Sequence, residues 1–272
     1  MDEQTISVGG QGISYLGSQG DGRAVVFLHG NSCSARTWRP LLHGAFGRRF
    51  RCLALDLPGH GHSARAADNA QYSLPGYAAI LAGFAESLDA ADAVVVGWSL
   101  GGHIALEAAP AMPAVPGFVI FGTPPVRSAE QLSQGFLPIP ATGVGFTDAV
   151  SEDAARSFAA CFTAPGSTLP LDEFTADILA TDGAARASMF ASVRDGRFAD
   201  QLAIIASLRQ PLAILHGEGE QLANLDYIRG LNIPSLWRGE VQLIAGAGHA
   251  PHQETPAQFA DLLEQFIAEL DE

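Results

Sequence analysis

Val94-Val95-Val96-Gly97-Trp98-Ser99-Leu100-Gly101-Gly102-His103 joins a β-branched run to a serine held between glycines. A row of valines favours a buried strand, and the following Ile104-Ala105-Leu106-Glu107-Ala108-Ala109 favours a helix. Ser99 therefore falls on a strand-to-helix turn, and its G-x-S-x-G frame reads as a nucleophile elbow. Such a turn lifts the hydroxyl clear of the sheet only if nothing collides behind it, which is the use of Gly97 and Gly101. The helix start also directs free N–H groups at any negative charge forming beside Ser99. A motif this short also occurs as an ordinary glycine-rich turn. What decides between the two is whether the chain supplies a base, an acid and a second N–H donor in the right order.

Outward from the elbow, Ala24-Val25-Val26-Phe27-Leu28, Arg51-Cys52-Leu53-Ala54-Leu55 and Phe118-Val119-Ile120-Phe121 are further continuous apolar runs, separated by stretches long enough for helices. That pattern predicts a buried parallel sheet with crossover helices, an α/β architecture. The short alternating segments 5–8 and 12–16 predict an antiparallel hairpin at one edge. Ser73, followed by Pro75, predicts the capped start of a helix running to about Leu88. After Gly122-Thr123-Pro124-Pro125 the βα rhythm stops, and 126–209 carries Phe136, Phe146, Phe158, Phe162, Phe174 and Phe190 in Ala-rich, helix-favouring stretches. Strand patterning resumes at Pro211-Leu212-Ala213-Ile214-Leu215-His216-Gly217 and Glu240-Val241-Gln242-Leu243-Ile244-Ala245. The expected organisation is a core of 1–125 and 210–272 with a helical cap inserted over 126–209, because a structureless linker of that length is disfavoured. Phe259, Leu262, Leu263, Phe266, Ile267 and Leu270 fall at helical spacing and predict a final amphipathic helix.

Composition narrows the partners. The 272 residues are 47% hydrophobic, enough for a sizeable core, and carry a net charge of −14. An acidic surface disfavours nucleic acid and anionic membranes, leaving small neutral substrates as the expected ligands. Cys33, Cys52 and Cys161 are odd in number and far apart, which argues against a disulfide framework or zinc cluster and fits a reducing cytoplasm. The start Met1-Asp2-Glu3-Gln4-Thr5 has none of the basic-then-apolar pattern of a secretory signal. No apolar run approaches the roughly 20 residues of a membrane span. The expectation is a cytoplasmic monomer or weak homodimer with no cofactor.

A serine needs a base to take its proton. Gly246-Ala247-Gly248-His249-Ala250-Pro251 offers His249 on a glycine-flanked loop after the last strand. His252 is the rival base within the loop, but Pro251 and the polar Gln253-Glu254 favour a structural role as a surface or capping residue. The acid that orients the base belongs after the preceding strand, in the order serine, acid, histidine. Glu220, third after Gly217, fits that place; Glu218 sits very near the strand end and Asp226 reads as part of the next helix. An oxyanion needs two N–H donors. Leu100 supplies one, and in Leu28-His29-Gly30-Asn31-Ser32 the Asn31 N–H is the expected second, with Ser32 next and His29 structural. In Leu55-Asp56-Leu57-Pro58-Gly59-His60-Gly61-His62-Ser63, His60 and His62 lack the further carboxylate and histidine that a zinc site of the H-x-H-x-D-H type needs, so no metal is expected.

Taken together, His29-Gly30-Asn31, Asp56-Leu57-Pro58-Gly59-His60-Gly61-His62-Ser63, Gly97-Trp98-Ser99-Leu100-Gly101 and Gly248-His249 resemble the α/β-hydrolase superfamily over essentially the full chain. The resemblance implies a mostly parallel eight-stranded sheet, a cap after the sixth strand, and cofactor-independent hydrolysis by Ser99, His249 and an acid. The acid position usually holds Asp; here it is Glu220. With Gly122-Thr123-Pro124-Pro125, Gln134-Gly135-Phe136 and Thr181-Asp182-Gly183-Ala184-Ala185-Arg186, that departure is similar to the metal-independent N-acyl-homoserine lactonases of this fold. That narrower resemblance implies quorum-quenching ring opening of a small-molecule lactone. Trp98, Phe136 and Phe158 are the expected acyl-pocket residues. A general carboxylesterase would use the same machinery, and a ligand receptor on a hydrolase fold would keep it without turnover.

Overall fold

The computed structural model describes residues 3–270, so Met1 and Asp2 of the polar start lie outside it. Its centre is an eight-stranded sheet in the order β1-β2-β4-β3-β5-β6-β7-β8. The strands are β1 (Glu3–Val8), β2 (Gln11–Gly17), β3 (Gly22–Leu28), β4 (Phe50–Leu55), β5 (Val94–Trp98), β6 (Phe118–Phe121), β7 (Leu212–Gly217) and β8 (Gln242–Ile244). β1 and β2 form the edge hairpin, β2 meets β4 antiparallel, and every pair from β4 to β8 is parallel. The continuous apolar runs are the parallel strands because both sheet faces are covered. Along β3, Val26 and Leu28 enter the core on one face while Val25 and Phe27 enter the core on the other, as the two-residue period of a strand requires.

The helices Leu74–Ser87 and Leu100–Ala108 pack into the first core, and Pro256–Glu269 packs into the second. Ser73 caps the first of these, accepting the Gly76 N–H at 3.2 Å. The last buries Phe259, Leu263, Phe266 and Ile267, the stripe expected from their spacing. Among the described residues no helix is long and apolar enough to cross a membrane.

Between β6 and β7 the chain makes the helices Glu152–Ala159, Asp172–Ala180, Gly183–Arg194 and Gln201–Ser207, joined by turns. Their organiser is Arg186, 3% exposed, whose guanidinium donates to the carbonyls of Thr147, Ile178 and Asp148. Burying that cation is tolerable because carbonyl acceptors replace its water. Several contacts fasten the segment to the sheet side. Ser34 Oγ and Arg36 both bind the Asp177 carboxylate at 2.9 Å, and Tyr72 OH donates to Asp182 at 2.8 Å.

The topology sets where chemistry can occur. The chain runs from β3 outward to β4 and then returns to place β5 on the other side of β3. That reversal opens a crevice at the carboxyl ends of the strands. Leu28 pairs with Gly97, Trp98 with Phe121, Phe121 with Leu215 and Gly217 with Ile244. The segments that follow these strand ends carry Asn31, Ser99, Gly122, Glu220 and His249, so residues remote in sequence emerge along one rim of the sheet.

Candidate active site

Ser99 links β5 directly to the helix Leu100–Ala108 and has φ 53° and ψ −113°. A left-handed φ on a residue with a side chain costs about 1–3 kcal/mol and persists only where the surroundings enforce it. They do so here: the Ser99 N–H donates to Phe121 O at 2.8 Å, and Thr123 Oγ1 donates to Ser99 O at 2.8 Å. A Cβ at Gly97 would run into the backbone of Gly101 and Gly102, and one at Gly101 into Leu28. The elbow is thus as tight as its sequence predicted.

His249 is 1% exposed and lies against Gly122, where a Cβ would fall 2.5 Å from the imidazole Cε1. Gly122 directly follows Phe121, the residue that holds the Ser99 backbone, so the histidine loop and the elbow meet across the end of β6. On its other edge, His249 Nδ1 lies 3.0 and 2.8 Å from the two carboxylate oxygens of Glu220. Their side chains are 1% and 2% exposed. Glu220 Oε1 also accepts the Leu222 N–H at 2.7 Å. Burial pushes the Glu220 carboxyl up, but the charge and hydrogen bond of His249, the Leu222 N–H and His216 outweigh it, and the net shift is downward. The carboxylate is therefore ionised at neutral pH and fixes a proton on Nδ1, leaving Nε2 with its lone pair. Glu218 and Asp226 are exposed, and Asp226 lies on the helix Leu225–Arg229.

The N–H groups of the first helical turn, Leu100 among them, have no acceptor within their own helix. Asn31 and Leu100 line the same cavity as Ser99. Ser32 is wholly buried, outside that lining, and donates its hydroxyl to Asn31 Oδ1 at 3.1 Å. Asn31 Nδ2 in turn donates to Gly145 O at 2.7 Å, tying this loop to the helical segment above it.

The other histidines separate cleanly. His29 donates Nδ1–H to Gly30 O and accepts the Leu57 N–H on Nε2, so both nitrogens are used in holding the loop. His60 is buried against His29, while His62 is exposed and pairs with Glu3, so the two point apart. His252 departs from expectation: it is fully buried and not a surface or capping group. Its Nε2 meets Thr37 Oγ1 at 2.7 Å and its ring packs between Trp38 and Trp98. The polar residues after it gave no sign of this, because the short turn Pro251–Glu254 faces its first half inward.

A cavity of about 290 Å³ opens over Ser99. Phe136 and Phe158 line it as expected, together with Leu132, Phe146, Met189, Phe190, Val193 and Phe198 from the segment between β6 and β7. Trp98 does not. Its side chain points to the opposite side of the elbow, under Gly30 and against Phe162 and His252, because successive strand residues face opposite ways. His103 and Gln201, which had not been singled out as ligand contacts, also line the cavity. The available signal was the four-residue spacing from Ser99 to His103, which puts both on one face of the helix.

A model of the alpha/beta hydrolase family matches residues 25–262. The chain belongs to the alpha/beta hydrolase family. The matched span contains every residue of the site just described, and the activity supported at this level is hydrolysis of the serine-esterase type. Among solved structures, this hydrolase is 35% identical to the N-acyl homoserine lactonase AidH bound to N-hexanoyl homoserine lactone, with a TM-score of 0.94, covering 99% of this chain and 98% of that one. It is 30% identical to the pimeloyl-acyl-carrier-protein methyl ester esterase of Methylococcus capsulatus, over 93% of this chain and 98% of that protein. It is 27% identical to the biotin biosynthesis bifunctional protein BioHC of Teredinibacter turnerae, and spans 44% of that protein's length.

Proposed function

We propose that this hydrolase opens the lactone ring of N-acyl homoserine lactones, with Ser99, His249 and Glu220 as its catalytic triad. The observation that carries this reading is the full-length likeness, 35% identical at a TM-score of 0.94, to a lactonase solved with such a ligand. Two features of the site agree with it: the acid is a glutamate, and the cavity above Ser99 has the apolar walls that an acyl chain requires. The segment 126–209 acts as the cap that supplies most of those walls.

Chemically, Ser99 Oγ attacks the lactone carbonyl while His249 Nε2 takes its proton. The developing imidazolium is stabilised by Glu220, and the oxyanion by the N–H groups of Leu100 and Asn31. Each such donor is worth about 3 kcal/mol, or a factor of about a hundred in turnover. Collapse breaks the ring C–O bond, and His249 returns the proton to the departing ring oxygen. The alcohol so formed stays covalently attached through the homoserine carbons. A water deprotonated by His249 then cleaves the acyl-enzyme, releasing the N-acyl homoserine and restoring Ser99. The residues present complete this cycle using side chains, backbone donors and water.

The second reading, a carboxylesterase for short or medium acyl esters, is favoured by the 30% identity to a methyl ester esterase. Measuring kcat/KM for N-hexanoyl homoserine lactone beside 4-nitrophenyl hexanoate separates the two. A lactone preference of tenfold or more supports the proposal; a lactone turned over no faster than its background hydrolysis, beside a good ester, overturns it.

A further inference from the structure

The cavity over Ser99 is walled mainly by apolar side chains, and five polar ones interrupt it. Ser99 and Asn31 belong to the reacting end. Thr142 spends its hydroxyl proton on Ile139 O at 2.7 Å. The remaining two, His103 and Gln201, hold each other. Gln201 Oε1 lies 2.9 Å from His103 Nδ1 and also accepts the Val126 N–H at 3.2 Å. A backbone N–H can only donate, so the second contact fixes which end of the Gln201 amide is oxygen. An oxygen facing Nδ1 in turn requires that Nδ1 carry the proton. Burial depresses His103 to about 4, so the ring is neutral at physiological pH. Its Nε2 is therefore a lone pair with no hydrogen-bond partner among the described residues.

Other buried histidines also leave one nitrogen unpaired, but His60 Nε2, His216 Nδ1 and His252 Nδ1 are sealed in the core where no ligand reaches. His103 Nε2 is not among the sealed atoms, and its ring lines the cavity. An acceptor left unmatched in such a place costs stability unless something fills it. Its position is defined by the helix: His103 lies four residues after Ser99, about 6 Å along the axis, and helical side chains lean back toward the N-terminus. The acceptor consequently faces the part of a substrate just beyond the carbonyl under attack.

We infer that His103, oriented by Gln201, accepts a hydrogen bond from an N–H or O–H that the substrate carries two or three bonds from its scissile carbonyl. This rests on the reading of Ser99 as the nucleophile of an ester or lactone hydrolase. A side-chain amide N–H on the carbon next to the carbonyl satisfies it, and so does a hydroxyl one carbon further along the acyl chain. A simple alkyl ester leaves Nε2 empty and excludes water from it, and is the poorer substrate for that reason.

The test compares matched substrates. In one arm, N-hexanoyl homoserine lactone is set against the γ-butyrolactone whose amide N–H is replaced by CH2. In the other, 4-nitrophenyl 3-hydroxyhexanoate is set against 4-nitrophenyl hexanoate. The wild-type enzyme should favour the donor-bearing member of at least one pair by about tenfold in kcat/KM. His103→Phe, which keeps a planar ring and removes the acceptor, should bring that ratio to about one. A wild-type ratio near one in both arms overturns the inference and needs no variant to be folded. An unchanged ratio in a folded His103→Phe overturns it equally.

Turnover of no substrate by the wild type would instead sink the hydrolase reading. Binding of the same pairs to Ser99→Ala, followed by calorimetry, then decides the role of His103 alone. Tighter binding of the donor-bearing member that disappears in Ser99→Ala/His103→Phe supports it. Equal binding of both members contradicts it.

Discussion

Replacing Glu220 by Gln keeps the shape of the site and removes one charge. The structure dictates how the amide sits. Leu222 N–H, 2.7 Å from Oε1, demands an acceptor there, so the carbonyl oxygen takes that place and the NH2 takes the place of Oε2. Oε2 is the nearer oxygen to His249 Nδ1, at 2.8 Å against 3.0 Å for Oε1, so a donor would replace the nearer acceptor and leave only the oxygen that Leu222 N–H already engages. The imidazole resolves the conflict by moving its proton to Nε2, the nitrogen that must receive the serine proton. An acid-to-amide change that imposes this tautomer costs about 10⁴ in turnover in a Ser-His-Asp triad. At 1.36 kcal/mol per factor of ten, that is about 5 kcal/mol of transition-state stabilisation. Glu220→Gln should accordingly lose three to four orders of magnitude in kcat/KM toward any ester or lactone the wild type accepts. Glu220→Asp, with the charge kept but the carboxylate drawn back, should lose less. Steady-state kinetics, with thermal unfolding as a control for folding, measures both. Activity of Glu220→Gln within tenfold of wild type would refute the reasoning, as would an equal loss in Glu218→Gln or Asp226→Asn.

Two further outcomes follow from the same contacts. Burial pushes His60 down to about 3 and His103 to about 4, against 6.5 for a free imidazole. The unfolded chain therefore binds more protons below pH 6.5, and each histidine lowers stability by about 1.4 kcal/mol per pH unit as the medium is acidified. Asp177, raised to about 6 by burial despite Arg36 and Ser34, works the other way: its contribution is present at low pH and lost as pH rises through 6. The histidines outnumber it, since His29, His216 and His252 are also lowered by burial, so calorimetry should find the unfolding temperature falling between about pH 6.5 and 5. A flat or rising profile would contradict this balance. Met189→Trp should narrow the cavity without touching Ser99, and at about 0.8 kcal/mol per methylene, loss of room for two methylenes cuts kcat/KM for octanoyl relative to butanoyl substrates by about tenfold. An unchanged chain-length profile would show that the acyl chain lies elsewhere.

The sheet and its reactive rim were legible because their signals are local. Continuous apolar runs require strands covered on both faces, and Gly97 and Gly101 have no use except a close approach. Glu220 was readable from its distance to the end of β7, although nothing in the chain around it reveals that Leu222 would fix one of its oxygens. The cavity was less legible. Trp98 lies beside Ser99 in sequence and faces away from the cavity in space, since a strand residue's direction depends on pairing register. His252 looked exposed by its neighbours and is buried by its turn. Phe146, Met189 and Phe190 come from helices whose arrangement rests on Arg186 bonding to carbonyls, and carbonyls leave no trace in a sequence.

The central claim is that Ser99 opens a ring by forming an acyl-enzyme, and mass spectrometry of rapidly quenched turnover tests it most directly. A lactone's leaving oxygen remains tethered, so the adduct should add the entire mass of N-hexanoyl homoserine lactone to the peptide bearing Ser99. A hexanoate ester should add only its hexanoyl group, because its alcohol departs. Absence of any Ser99 adduct during burst-phase turnover, together with ring opening undiminished in Ser99→Ala, would contradict the account.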